Sequence, residues 1–166
     1  YDSKAFQKSV GLNGVGSKAV KGLSNYFKVT AFRDGKEKTA EFERGVLKQE
    51  HKETKTTEEN GTLVSFVPDD KIFKNFHFVQ EYLDNQFWNY CYLNAGLVMN
   101  LNGKRYVSKN GLLDLLQRKT NEDEIRYPII HLKGEDIEVA LTHENDYGEE
   151  YYSFVNGQFT TQGGTH

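Results

Sequence analysis

The sequence has few of the residues that build covalent or metal-based scaffolds. Its 166 residues include one cysteine, two prolines, one methionine and one tryptophan. The single thiol, Cys91, excludes an internal disulfide and a cysteine-based zinc cluster, which is the cysteine usage typical of a reducing compartment. No apolar run approaches the roughly 20 residues that span a bilayer. We therefore expect a cytoplasmic protein that does not interact with a membrane.

An excess of charge of one sign is also lacking. The chain has 21 basic and 24 acidic residues, a net charge of -3, and the two signs are interspersed. This pattern excludes a broad cationic face for nucleic acid, so any contact with DNA would be local or made elsewhere. Aromatic residues are abundant, with ten tyrosines and eleven phenylalanines. Because aromatic rings bury a large area each, we expect a globular chain with a core.

A glycine-rich stretch over residues 11–17 carries the clearest chemical signal. Glycine lets the backbone adopt positive φ and approach a ligand closely, and the helical spacing of residues 18–24 predicts a helix that begins here. A helix N-terminus offers free N–H groups and a positive dipole end, which suit a polyphosphate. The candidate anion-binding residues are Gly11, Leu12, Asn13, Gly14, Val15, Gly16 and Ser17.

This order of glycines, G-x-x-G-x-G, matches neither the dinucleotide fingerprint nor the Walker phosphate loop. A flexible glycine loop before an ordinary helix therefore stays open as an interpretation. Thr62, at the start of a β-rich run, either holds a ligand through its hydroxyl or closes a turn. The histidines lack the spacing of a zinc site or a catalytic triad, and we interpret them as surface or sheet residues: His51, His131 and His143.

Hydrophobic periodicity predicts an α+β chain. We predict strands over 26–33, 38–43, 62–67, 97–101, 104–108, 129–132, 137–142 and 151–155, and helices over 18–24, 78–95 and 110–119. Turn signals at Asp34-Gly35 and Asn102-Gly103 predict hairpins, and Asn156-Gly157 predicts a further turn. Residues 47–57 are expected to form an edge strand or an exposed connection. The polar stretch 120–124 is the candidate domain boundary.

Four stretches, in this order, resemble one family. They are Gly11-Leu12-Asn13-Gly14-Val15-Gly16, then Gly61-Thr62 with Phe66-Val67-Pro68-Asp69, then Tyr92-Leu93-Asn94-Ala95-Gly96-Leu97, and Phe154-Val155-Asn156-Gly157 leading to Gly163-Gly164-Thr165-His166. Together they resemble the ATPase subunit of bacterial type IIA DNA topoisomerases, which is gyrase B in one enzyme and topoisomerase IV B in the other. The resemblance extends over essentially the whole chain.

The resemblance implies a fold and a division into domains. Residues 1–123 would be the C-terminal part of a Bergerat-type (GHKL) ATP-binding domain, a partial sandwich of mixed sheet and helices that includes the ATP lid. Residues 124–166 would be the first strands of a ribosomal-S5-domain-2-like transducer. We therefore expect this chain to be an internal segment of a longer protein.

The resemblance also implies a site. In the family the glycine box binds ATP phosphates through backbone amides, here residues 11–17, and the threonine matching Thr62 helps to hold the adenine. Residues 1–10 resemble the ATP lid, with Phe6 and Lys8 as lid contacts. Asn13 and Val10 stand where many members have His and Gly, which leaves binding by amides intact. Phe6 replaces a tyrosine that contacts the nucleotide, so that hydrogen bond would be lost.

Catalytic groups of the family match no residue of this chain. The general-base Glu, the magnesium-ligating Asn and the adenine-reading Asp lie upstream of the lid, and the γ-phosphate Lys lies downstream. We therefore expect no catalytic residue and no metal ligand here, Mg²⁺ bound outside the segment, and an isolated fragment without ATPase activity.

The parent protein would be an ATP-dependent topoisomerase. Its ATPase domains would form a homodimer gate that works on DNA with a cleavage subunit of the gyrase A or topoisomerase IV A type. Two alternatives stay open at this point. One is another GHKL clamp of the mismatch-repair or chaperone type, and the other is a non-enzymatic binding module.

Overall fold

The computed structural model describes residues 14–160, which form two compact units, residues 14–77 and residues 78–160. Across the described part of the chain, all strand pairs are antiparallel. Within the same range, no helix has both the length and the apolar character needed to cross a membrane.

The first unit is one helix and a five-stranded sheet. Its elements are α1 (Val15–Gly22), β1 (Ser24–Arg33), β2 (Lys36–Glu43), β3 (Val46–Glu50), β4 (Thr54–Lys55) and β5 (Gly61–Pro68). The strand order is β3-β2-β1-β5, and the short β4 also pairs with β2. The predicted strands over 26–33, 38–43 and 62–67 are therefore confirmed with small changes at their ends.

Two-residue turns join the first three strands. Asp34 and Gly35 have φ of 53° and 72°, the positive values of the hairpin turn that the Asp-Gly pair predicts. Arg44 and Gly45 form the same kind of turn between β2 and β3, with φ of 47° and 81°. That second hairpin was not predicted, because arginine is not a residue that signals a turn.

The two faces of this sheet differ in polarity. Directly opposed residues in antiparallel strands point to the same side, so the pairing Phe66–Phe27–Phe42 runs across one face. We call this side the apolar face, and on β1, β2 and β5 it comprises Phe27, Val29, Ala31, Ala40, Phe42, Thr62, Val64 and Phe66, with Lys38 at its far end. The other face carries polar pairs, including Thr30 and Thr39, whose hydroxyl oxygens are 2.8 Å apart.

The second unit combines two helices with three hairpin ladders. Its elements are α2 (Gln80–Leu93), β6 (Val98–Leu101), β7 (Lys104–Val107), α3 (Leu112–Lys119), β8 (Ile130–Lys133), β9 (Glu138–Leu141), β10 (Phe154–Val155) and β11 (Gln158–Phe159). The hairpins β6–β7 and β10–β11 turn at the predicted Asn-Gly pairs. Helix α2 packs on β6, β7 and α3, and α3 also packs on β9.

An aromatic cluster forms the core of the second unit. Tyr106 of β7 is fully buried, and the ring of Trp88 lies edge-on to it with centroids 5.3 Å apart. Tyr92 stacks on Trp88 at 5.4 Å, and the Arg118 guanidinium lies 4.6 Å from the Trp88 ring centre. The Tyr106 hydroxyl donates to the carboxylate of Asp84, which keeps the buried phenol satisfied.

The predicted apolar stripe of α2 was partly wrong. Val79 and Tyr90, two of its four members, are each 40% exposed, whereas Cys91 and Tyr92 are buried. The physical reason is that aromatic residues occur around most of this helix, so spacing alone did not define which side packs. Contacts with Tyr106 and with α3 decide the buried side.

Candidate functional site

The N-terminus of α1 has the character of an anion site. Gly14 precedes the helix with φ 59° and ψ 28°, no side chain of residues 14–160 caps this end, and the first turn holds no acidic residue. The backbone N–H groups of a first helical turn have no partner within the helix, and the dipole adds positive potential. A Cβ built on Gly16 meets no described atom within 4 Å, so a phosphate has room to approach its backbone.

The structure describes part of the sequence-predicted site. Gly14, Val15, Gly16 and Ser17 lie at the start of α1. The remaining members of the predicted set, Gly11, Leu12, Asn13, Phe6 and Lys8, lie outside the described residues.

Thr62 lies on the same face of the sheet as α1. It pairs with Ala31 and is therefore on the apolar face. Helix α1 lies against one end of that face, because Lys21 Nζ of the helix is 4.6 Å from the centre of the Phe42 ring. Thr62 is exposed, and its hydroxyl has no hydrogen-bond partner among residues 14–160. A free hydroxyl on the helix-bearing face is available to a ligand.

The C-terminal end of α1 is held by backbone and side-chain bonds. Ser24 Oγ donates to the carbonyl of Val20 at 2.6 Å, and the Leu23 N–H donates to the Ala19 carbonyl at 2.9 Å. The Asp69 N–H in turn donates to the Leu23 carbonyl at 2.9 Å. The helix end is therefore attached to the segment that follows β5.

Asp69 is a buried carboxylate that sequence reasoning did not single out as a site residue. It is 2% exposed and accepts hydrogen bonds from the Arg44 guanidinium and from the Lys71 N–H, the latter at 3.0 Å. The Arg44 hydrogen bond, followed by the Lys71 backbone bond, lowers the pKa of Asp69 to about 2 despite burial. The Pro-Asp that ends β5 and the Arg-Gly turn were the only sequence signals for it.

Two histidines that we expected to be ordinary surface or sheet residues face carboxylates. His51 Nε2 is 3.0 Å from Glu41 Oε1, and His131 Nε2 is 2.8 Å from Glu138 Oε1. Glu138 also accepts from the Leu112 N–H at the start of α3 at 3.4 Å. Between residues 14 and 160, no group of three or more His, Cys, Asp or Glu side chains is placed to hold a metal ion.

The second unit contains a cavity of about 290 Å³ between α2 and the β10–β11 hairpin. Its walls are formed by Gln86, Asn89, Tyr90, Phe154, Gly157, Gln158 and Phe159. Among the described residues, this lining contains no carboxylate, histidine, lysine or arginine.

Comparisons with known proteins agree with this geometry. No family model matches the chain. The B subunit of DNA topoisomerase 4 from Borreliella burgdorferi is 45% identical over 166 residues, which cover all of this chain and 28% of that protein. The B subunit of DNA gyrase from Helicobacter pylori strain J99 is 33% identical over 181 residues, covering all of this chain and 23% of that protein.

A solved structure shares the fold. It is the 43K ATPase domain of Thermus thermophilus gyrase B in complex with an aminocoumarin, with a TM-score of 0.73 and 24% identity. The match covers 92% of this chain and 45% of that one. The chain therefore shares the fold of this gyrase B ATPase domain.

The chain belongs to the family of bacterial type IIA topoisomerase B subunits, represented by those of topoisomerase IV and gyrase. It spans 28% of the first of these relatives and 23% of the second. These relatives favour the topoisomerase interpretation over a mismatch-repair or chaperone clamp and over a non-enzymatic module.

Proposed function

We propose that this chain is a nucleotide-binding portion of the ATPase subunit of a type IIA DNA topoisomerase. Residues 11–17 bind the ATP phosphates through backbone amides, and Thr62 contacts the adenine. The observation that carries the proposal is the N-terminus of α1, which no side chain of residues 14–160 caps and which lies on the sheet face that also holds Thr62. Amides of a first helical turn are suited to phosphate oxygens.

The chemistry beyond binding lies with other parts of the subunit. Hydrolysis requires a general base within hydrogen-bond reach of a water, and we assign no such residue to this chain. In the resembling family the magnesium-ligating Asn lies upstream of the lid, so we place the Mg²⁺ ligand elsewhere in the protein. An isolated chain with residues 1–166 would therefore have no meaningful ATPase activity.

The whole protein acts in an assembly under this proposal. Its ATPase domains form a homodimer, and nucleotide binding favours the closed state of that dimer. With DNA and a cleavage subunit of the gyrase A or topoisomerase IV A type, the closed gate drives passage of one duplex through another in the cytoplasm. We place the start of the transducer domain at residue 124, where it follows the ATP-binding domain.

A single glycine tests the phosphate site. In the whole subunit, Gly16→Ala places a methyl group where the phosphate would approach, so we expect ATP affinity to fall by about tenfold, near 1.4 kcal/mol. The same change favours the helix by about 0.5–1 kcal/mol, so a loss of folding would not explain weaker binding. Affinity is measured with a fluorescent non-hydrolysable ATP analogue.

Gly22→Ala is the matched control. It makes the same change at the other end of α1, and a Cβ there also meets no described atom within 4 Å. We expect Gly22→Ala to bind the analogue as the unmodified protein does. Equal affinity in Gly16→Ala and the unmodified protein would contradict the assignment of phosphate binding to this helix.

A further inference from the structure

Arg44 and Asp69 lie where three segments of the first unit meet. These are the C-terminal end of α1, the β2–β3 turn and the residues that follow β5. The Arg44 N–H donates to the Ser24 carbonyl at 2.8 Å, and the Asp69 N–H donates to the Leu23 carbonyl at 2.9 Å. The two residues that follow α1 are therefore bonded from both sides.

The side chains of Arg44 and Asp69 close this junction. The guanidinium donates through Nε to one carboxylate oxygen and through Nη2 to the other, the second at 3.2 Å. A paired guanidinium and carboxylate in this forked geometry fix orientation as well as distance. The helix end also lies close to the turn itself, since a Cβ added on Gly45 would be 3.4 Å from Gly22 Cα.

The conformation of Arg44 shows that the turn does not itself require arginine. Its φ is 47°, a left-handed value that asparagine, aspartate and glycine adopt more readily. The corresponding positions of two other hairpins of this chain are occupied by Asn102 (φ 50°) and Asn156 (φ 49°). Arginine here is explained by its side chain, which reaches Asp69.

We propose that Arg44 and Asp69 are positioning residues for nucleotide binding. By locking the C-terminal end of α1 to the sheet, they set the direction in which its N-terminal amides point. This inference rests on the proposed function of residues 11–17. A helix of eight residues is about 12 Å long, so a tilt of about 15° at its C-terminus moves its N-terminus by about 3 Å. A displacement of that size breaks hydrogen bonds to a phosphate.

Arg44→Asn in the whole subunit tests the proposal. Asparagine keeps the turn, because it tolerates positive φ, and it removes the guanidinium. Without nucleotide, we expect the hydrogen-bonded backbone amides of residues 19–22 to exchange with deuterium about tenfold faster. We expect the KM for ATP to rise by about tenfold, with kcat changed little. Lys48→Ala is the control, because Lys48 binds Glu43 on the same hairpin at 3.0 Å and does not contact Asp69.

The double variant Arg44→Asn with Asp69→Asn separates positioning from stability. It removes the buried carboxylate that Arg44→Asn alone would leave unpaired, so the unfolding midpoint should recover. In the double variant we expect the amides of α1 still to exchange faster and the KM for ATP to remain raised. If the exchange rate and the KM both return to the values of the unmodified protein, the pair has a purely structural role and the proposal is overturned. If Arg44→Asn does not fold, Arg44→Lys, which keeps the charge and loses the fork, is measured in the same way.

The two proposals fail in different ways. If the unmodified protein does not bind ATP, the proposed function fails. Exchange of α1 without nucleotide still decides whether Arg44 and Asp69 hold the helix. If exchange in Arg44→Asn equals that of the unmodified protein, the positioning role is wrong even where ATP binds.

Discussion

Asp69 is both buried and ionised, and this combination ties the stability of the first unit to pH. Arg44 lowers its pKa to about 2, below the ordinary value of 3.8. A carboxyl whose pKa is lower in the folded state contributes stability that is fully present above its unfolded pKa. That stability is lost as the pH falls through the folded pKa, so for Asp69 the window is about pH 4 to 2.

Asp69→Asn should therefore flatten the acid branch of the stability curve. We expect the free energy of unfolding of the unmodified chain to fall from pH 4 to pH 2, and the fall to be smaller in the variant. Part of it should persist, because Lys104 and Tyr106 also lower the pKa of Asp84, in the second unit, to about 2. Urea denaturation followed by circular dichroism at several pH values measures this.

Asp34→Asn is the control for this acid series. Asp34 lies in an exposed turn, and its side chain is 76% exposed. We expect the free energy of unfolding of Asp34→Asn to fall with pH as that of the unmodified chain does. An acid branch of Asp69→Asn that runs parallel to that of the unmodified chain would contradict the described ionisation of Asp69.

At the scale of elements, local patterns predicted most strands, the hairpins at Asp34-Gly35 and Asn102-Gly103, and the turn at Asn156-Gly157. Asp34-Gly35, Asn102-Gly103 and Asn156-Gly157 adopt positive φ because those residue types favour it locally. Arg44-Gly45 has the same geometry without the signal, since its arginine is held there by Asp69, 25 residues away in the sequence. Long-range contacts of this kind are not visible in local periodicity.

The candidate site was predictable to the same extent. Glycines followed by helical spacing predicted a glycine turn over residues 11–17 and a helix over 18–24. The helix begins earlier, at Val15, and ends at Gly22, so Gly16 and Ser17 are helical rather than part of the turn. That Thr62 shares a sheet face with α1 follows from the pairing of β5 with β1, which joins residues far apart in the sequence. Periodicity indicated that β5 is a strand but not which strand it pairs with.

The exposed apolar edge of strand β5 leads us to expect that the isolated chain self-associates. Among the described strands it pairs only with β1, and its apolar residues are exposed: Leu63 (56%), Val64 (48%), Phe66 (42%) and Val67 (49%). An open edge of this composition, without a charged side chain, is a template for pairing with another strand.

Leu63→Lys should reduce the association of the isolated chain, because a charge on an edge strand opposes pairing. Sedimentation velocity over a range of concentrations measures the effect. Leu132→Lys, which changes a 59% exposed leucine of the second unit, is the control and should associate as the unmodified chain does. If both variants associate equally, the contact does not involve β5.

At the scale of the whole molecule, the chain is a segment of the topoisomerase B family whose two units have separate cores. The first unit holds the candidate phosphate and adenine contacts, and the second holds the aromatic cluster around Tyr106. The proposed site therefore depends on the fold of residues 14–77 and on groups elsewhere in the subunit. This explains why the chain is expected to take part in ATP binding without hydrolysing ATP alone.

The most direct test is hydrogen–deuterium exchange of the whole subunit with and without a non-hydrolysable ATP analogue. We predict that nucleotide protects backbone amides at residues 14–18 and 61–63, and that exchange at the turn of residues 101–104 is unchanged. Protection elsewhere in the protein, with residues 14–18 exchanging as they do without nucleotide, would contradict the central claim that the N-terminus of α1 binds the phosphates.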